Sequence, residues 1–244
     1  MLRAACLLLA FAAGAAAQPG APPGALPPMP PDTTAARFAT STAVVVRLDE
    51  YGFGLGTAGR ARLTDGLSFT AELAVGAGKD AREQQFFVGF FGDSVTPFKR
   101  NYVLLAPLHF GLEQRLFRRS VEDNFRPFVA AAAGPSVAVQ WPYFDDLDGD
   151  GVFDRAEAEG GETRLGVLGG LGSAEPRVGV GGSVALGAYF GRSTRTAQGL
   201  RFAVVAHHFP AEVDLLELVP EVEDPSSAWF VSPVVSFHLV RLLN

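Results

Sequence analysis

The stretch "RNYVLLAPLHFGLEQRLF", residues 100–117, decides the fold. Its even positions read Tyr102, Leu104, Ala106, Leu108, Phe110, Leu112, Gln114 and Leu116. Its odd positions read Val103, Leu105, Pro107, His109, Gly111, Glu113, Arg115 and Phe117. Successive side chains of a strand point to opposite faces, so a strand here has one greasy face and one carrying histidine, glutamate and arginine. A helix would scatter those charges around its circumference, and Pro107 would break it. The run is also longer than an ordinary globular strand and suits a tilted crossing of a bilayer.

The same alternation returns in both directions along the chain. In 125–141, Phe125, Val129, Val137 and Val139 alternate with Arg126, Gly134, Ser136 and Gln140. In 177–191, Val178, Val180, Val184, Leu186 and Phe190 alternate with Arg177, Gly179, Gly181, Ser183 and Gly187. The last segment, 228–243, sets Trp229, Val231, Val235, Phe237 and Leu239 against Ser232, Ser236 and His238. Segments 53–63 and 67–78 flank Asp65-Gly66, a pair that predicts a two-residue hairpin with positive φ at both positions. Weaker strands at 40–48 and 199–209 bring the expected number to eight.

The expected connections alternate in length. Asp65-Gly66, Arg118–Asn124 and Arg192–Gln198 are short, whereas Lys79–Lys99, Pro142–Pro176 and Pro210–Ser227 are long. Asp49–Gly52 is the short exception among the long ones. An even strand count with short turns at one end and long loops at the other is the plan of an outer-membrane barrel. The expected fold is therefore all-β, an eight-stranded antiparallel up-and-down transmembrane β-barrel over 37–244. A soluble secreted barrel is the alternative.

The first residues fit that plan. Arg3, the apolar run Ala4–Ala13, and the small residues Ala15 and Ala17 form a secretory signal over 1–17, too short to cross a bilayer of roughly 20 helical residues. Cys6 lies inside it, so the mature chain has no cysteine for disulfides, thiolate catalysis or metal ligation. Segment 18–36 follows, and its proline-rich part 18–34 holds seven of the seventeen prolines, which makes it a semi-rigid periplasmic linker. A net charge of −6 without a basic run argues against nucleic acid as a partner.

The chain resembles the small outer-membrane β-barrel proteins of Gram-negative bacteria, the broad set of OmpA-like and OmpW-like barrels. The resemblance spans 37–244 and rests on the strand pattern. It implies Sec-type export, residence in the outer membrane among lipid and lipopolysaccharide, and insertion by the outer-membrane assembly machinery. Such barrels commonly end in an aromatic residue. This sequence departs from that, ending in Leu242-Leu243-Asn244.

If the greasy face meets lipid, the other face lines the lumen. The inward candidates are Arg47, Arg60, Arg62, Glu72, His109, Glu113 and Arg115, with Arg126, Gln140, Arg177, Tyr189, Arg201 and His238. An eight-stranded barrel is only wide enough for side chains to fill it, which favours a closed ion-pair network over a conducting pore. A narrow small-solute channel is the alternative.

One loop carries a motif. From Asp146 the chain reads D-L-D-G-D-G-V-F-D-R-A-E, with Asp146, Asp148 and Asp150 at positions 1, 3 and 5 of a calcium loop. Gly151 permits the turn, Val152 offers its carbonyl, Asp154 acts through water, and Glu157 closes the shell with both oxygens. The flanks alternate and contain Pro142, so no paired helical sensor is expected. The loop is either a structural Ca²⁺ staple or a solvated acidic loop without an ion. Segment 210–227 adds six carboxylates and no basic residue on the same side, a surface able to hold divalent cations that bridge lipopolysaccharide phosphates.

An enzyme needs a nucleophile, a base and an orienting group together. The adjacent pair His207-His208 near the external end of its strand is the one candidate, for a lipid hydrolase on the outer wall, and no serine motif accompanies it. The glycines at 166–172 and 179–182 precede no strand-to-helix transition, so they are not phosphate cradles. The reading is non-enzymatic, with no catalytic or cofactor-binding residues assigned.

Overall fold

A computed structural model describes residues 40–79, 83, 86–88, 93–117, 124–153, 162–191, 196–219 and 224–243. The expected signal segment and linker lie outside them, as do Asp154 and Glu157 of the loop motif.

Among the described residues ten strands form, in the order β1 Thr40–Asp49, β2 Gly52–Arg62, β3 Leu67–Gly78, β4 Phe86–Val88, β5 Asp93–Val95, β6 Asn101–Arg115, β7 Phe125–Pro142, β8 Glu175–Phe190, β9 Thr196–Asp214 and β10 Ser226–Leu243. Eight close into one barrel, each antiparallel to its neighbours in sequence. β1 meets β10 at the seam, from Thr40 opposite Leu243 to Asp49 opposite Val234. β4 and β5 form a separate small hairpin in the segment between β3 and β6. Strands of three residues are too short to show a period, so the sequence of 79–99 predicts only a long connection. No helix among the described residues is long and apolar enough to cross a membrane, which says nothing of crossing by strands.

The alternation sets which way each strand faces. Along β6 the odd residues from Asn101 to His109 are buried and the even ones turn out, as the pattern predicts. Pro107 has no amide to donate, and its neighbourhood is where the ladder is interrupted: the pairs skip from Leu105 to Leu108 on the β3 side and from Pro107 to Phe110 on the β7 side. Outward positions of the ring carry exposed Val44, Leu55, Leu73, Leu112, Val184, Leu186, Val204, Val231 and Leu239. Near the short turns this apolar belt ends in phenylalanines, with Phe69 stacked on Phe110 at 6.3 Å and Phe125 against Phe190 at 5.5 Å. Towards the long loops it ends at Trp229, whose ring lies 4.4 Å from His208.

Two expected connections differ. Neither Asp65 nor Gly66 has positive φ, so the two-residue turn does not form. The loop spans four residues instead: the amides of Leu63 and Thr64 both donate to the Leu67 carbonyl. Arg62 pairs with Asp65, and Arg115 N–H donates to the Gly66 carbonyl at 2.7 Å, which ties the turn to the next strand. The second difference is at Pro210–Ser227. There β9 continues through Asp214 and pairs with the start of β10, Ser226 opposite Asp214 and Ser227 opposite Val213, so the loop shrinks to 215–225. The turn Asp49–Gly52 follows from chemistry: the Asp49 carboxylate accepts from the amides of Tyr51 and Gly52 at 3.0 Å each, and Gly52 takes φ +134°.

Candidate functional site

Three zones of the barrel bring chemically active residues together: the mid-lumen, the end under the long loops, and the acidic loop itself.

In the mid-lumen β3 and β9 face each other across the barrel. Arg201 Nη1 donates to Glu72 Oε2 at 2.6 Å, and its Nη2 donates to Ser183 Oγ at 3.2 Å. Lower down, Arg60 lies 3.0 Å from Glu113, and Tyr189 O–H donates to the same carboxylate at 2.8 Å. His238 is buried against Ser236 Oγ at 3.1 Å. Arg47 lines small cavities with Glu72, His109 and His207. Of the expected lumen residues, Glu72 with Arg201 and Glu113 with Arg60 are thus brought together as paired charges. Arg62, Arg115 and Arg126 line the mouth at the short turns. Gln140 and Arg177 sit at the other end with Glu175 and Asp214, where Arg177 bonds Glu175 at 3.0 Å.

The two adjacent histidines separate. His208 faces outward on Trp229, while His207 turns inward, where its Nδ1 lies 2.9 Å from Ser136 Oγ and its ring 5.6 Å from that of His109. The sequence predicts the pair on the outer wall, with no serine motif beside it. Strand parity already held the correction, because Arg201 and His207 share a face. Ser136 is 71 residues away, and only the β7–β8–β9 register brings it across. Gly181 is the reason the cluster fits: a Cβ there would stand 2.4 Å from His207 Nδ1, 2.6 Å from Ser136 Oγ and 2.8 Å from His109 Nε2. A serine–histidine contact is half of a nucleophilic set. It lies inside the lumen, with Ser136 1% exposed, and not on the outward face.

Above this cluster the lumen is filled by an apolar roof. Val103, Leu105, Ala138, Phe209, Val213, Leu215, Leu216 and Phe230 form one buried cluster, with Tyr51 packed against it. Phe209, Val213 and Leu215 have no exposed surface. The β9 extension makes the roof possible, because it carries Val213 inward and delivers Leu215 and Leu216. Backbone bonds fix it: Arg100 N–H donates to the Leu215 carbonyl at 2.9 Å and Glu217 N–H to the Phe98 carbonyl at 2.8 Å. A buried ion pair, Lys99 Nζ to Glu83 Oε2 at 2.6 Å, lies beside it.

The acidic loop rises from an ordered base. Trp141 Nε1–H donates to the Val167 carbonyl at 2.7 Å, Tyr102 O–H to the Leu165 carbonyl at 3.2 Å, and Leu165 N–H to the Tyr143 carbonyl at 2.9 Å. Beyond it the carboxylates of Asp146, Asp148 and Asp150 converge, with one oxygen of each within 4.8 Å of the others. Gly149 and Gly151 take φ +80° and +79°, a left-handed turn that glycine adopts without strain. Asp146 accepts from the amides of Gly149 and Gly151 at 2.7 and 3.0 Å, Asp148 from Asp150 at 3.2 Å, and Asp150 from Val152 at 2.7 Å. Glu162, absent from the sequence motif, accepts from Leu147 N–H at 2.9 Å and pins the loop's start.

No protein-family model matches the chain, and no curated protein matches it. Among solved structures it is similar to Neisserial surface protein A, with a TM-score of 0.43 and 10% identity over 84% of this chain and 94% of that one. It is also similar to Ail, the attachment invasion locus protein of Yersinia pestis, with a TM-score of 0.38 and 9% identity over 83% and 96% of the two chains. The N-terminal β-barrel domain of Pseudomonas aeruginosa OprF gives 0.35 and 9% over 82% and 96%. The eight-stranded closed barrel stands on the chain's own pairings.

Proposed function

We propose that the chain is a non-enzymatic barrel of a Gram-negative outer membrane, with a structural or surface-interaction role and its long loops outside. The observation that carries this is the outward face: a continuous exposed apolar belt between a phenylalanine girdle and Trp229, around a ring whose mid-lumen holds the pairs Glu72–Arg201 and Glu113–Arg60 beneath the apolar roof. A soluble barrel would hold the reverse arrangement, with apolar residues inside and polar ones out. The test is fractionation of cells expressing the full chain. Recovery with outer membranes, released only by detergent, is the expected result. A freely soluble periplasmic protein defeats the reading.

A plugged lumen is favoured over a small-solute channel by the apolar roof and by the small size of the cavities beneath it, about 20 Å³ each. Salt-bridged arginines fill the remaining width. The barrel then offers its outer loops, not a passage.

The second part of the proposal is a Ca²⁺ staple in the 143–174 segment. The convergence of the three aspartates supports it, since hard divalent cations take several carboxylate and carbonyl oxygens. The Asx-type bonds leave further oxygens of Asp148 and Asp150 for an ion, and the Val152 carbonyl follows in sequence. Asp154 and Glu157 would complete the shell. The same acidic surface, with 215–225, would hold divalent cations that bridge lipopolysaccharide phosphates. Calorimetric titration of the refolded protein should give a dissociation constant of about 10⁻⁴ to 10⁻³ M, in the range of single extracellular loops. The variant Asp148→Ala/Asp150→Ala should give no binding heat. Indistinguishable heats from the two proteins remove the site.

A further inference from the structure

Four consecutive strands of the ring bring polar side chains to one point of the inner wall. His109 on β6, Ser136 on β7 and His207 on β9 surround Gly181 on β8, which stands opposite His207 in the β8–β9 ladder. A Cβ on Gly181 marks the point: it would lie 2.4 Å from His207 Nδ1, 2.6 Å from Ser136 Oγ and 2.8 Å from His109 Nε2. Gly134 pairs with Gly181 across β7–β8, so two neighbouring positions of the wall carry no side chain. All three polar residues are buried, His109 at 7% exposure. Their own bonding is incomplete. The Ser136–His207 contact satisfies its two members, and among the described residues His109 Nε2 has no hydrogen-bond partner. A buried ring nitrogen left without a partner is costly, and this one shares a small space with two further lone-pair atoms.

We propose that this cluster binds a borderline divalent metal ion such as Zn²⁺, held by His109 Nε2, His207 Nδ1 and Ser136 Oγ. Neutral imidazole is a preferred ligand of zinc, copper and nickel, and three protein ligands with a fourth position left to water are a recurring zinc arrangement. Zinc–nitrogen bonds are about 2.0–2.1 Å. Three atoms already grouped around one point therefore need only small side-chain shifts to close on an ion. With Ser136 O–H donating to Nδ1, the hydroxyl turns its proton away, frees the nitrogen lone pair and offers an oxygen lone pair of its own.

Charge around the site is balanced. Arg47 shares the cavity beside His207 with Asp49, and Arg201 bonds Glu72 in the cavity beside His109. Glu72 also stands directly opposite His109 in the β3–β6 ladder, which sets a carboxylate next to the ion. Calcium takes oxygen ligands, so the acidic loop and this cluster select different ions. An ion here ties β6 to β9 across two intervening strands. The proposal stands on the register of β6 to β9, so it survives failure of the calcium loop and is tested apart from membrane location.

The full chain carrying Asp148→Ala/Asp150→Ala, which removes the acidic loop as a competitor, is isotope-labelled at its histidine ring nitrogens. It is refolded in detergent either with zinc chloride present or without it, zinc then being added to the folded protein. NMR reads the ring nitrogens of the four histidines. Zinc should move His109 Nε2 and His207 Nδ1 and leave His208 and His238 in place. By calorimetry, His109→Ala and His207→Ala should each weaken zinc binding by about tenfold or more, since even partners outside the ligand shell cost that much in metal sites. Ser136→Ala should weaken it less, and His208→Ala should leave it unchanged. Shifts seen only when zinc is present during refolding support the same site, sealed by the roof. Zinc shifts that leave out His109 or His207, or no shift in either preparation, overturn the proposal. So does zinc affinity equal in His109→Ala and its parent. If His207→Ala does not fold, His109→Ala and the parent's shifts decide.

Discussion

Glu72→Ala is expected to destabilise the folded barrel by about 3–5 kcal/mol, the cost of leaving a buried charge without its partner. Glu72 and Arg201 are 2.6 Å apart, with side-chain exposures of 17% and 14%. Their interaction spans the lumen from β3 to β9, strands that are not neighbours in the ring. Removing the carboxylate strands the guanidinium beside Arg47, which lines the same cavity. Arg201→Ala should cost a similar amount and release Ser183 Oγ as well. The double change Glu72→Leu/Arg201→Met should recover most of the loss, because desolvation of both ions disappears together. Urea unfolding of the refolded protein, followed by tryptophan fluorescence, measures all three. Single variants within 1 kcal/mol of wild type would show that water reaches this pair freely.

Val184→Arg is expected to cost about 2–4 kcal/mol in lipid vesicles, the penalty for a cation on the lipid face near the middle of a membrane barrel. Val184 is 53% exposed at the centre of β8, between Ala131 and Val204 on the flanking strands. On a water-facing surface the same change should stay within about 0.5 kcal/mol. Val167→Arg is the control, 56% exposed in the segment beyond β7. It should be near neutral in every medium. The two variants therefore separate a lipid face from a merely exposed one, and equal behaviour of both in vesicles contradicts the membrane reading.

Most of the ring was legible because a strand repeats every two residues, and β6, β7, β8 and β10 keep that period over many residues. β9 was read short. Pro210 looks like a terminator, yet the chain pairs on through Asp214, since a two-stranded extension beyond the ring tolerates a proline that a central strand would not. The charged interior was legible from parity alone, and the Glu72–Arg201 pair is made of residues named from that face. Ser136 beside His207 was not, because contact across a lumen depends on register accumulated over several strands. The calcium motif was legible as spacing, while the role of Glu162 came only from the antiparallel base that returns it beside Leu147.

The seam between β1 and β10 also carries a kinetic consequence. Thr40 pairs with Leu243, so the ring closes only after every strand between them has been made and ordered. Closing so long a loop is entropically costly and makes folding slow relative to local hairpins. Until it happens, two strands present unpaired edges that another chain can join. The vulnerable interval in this protein's life is the wait before its first and last strands meet.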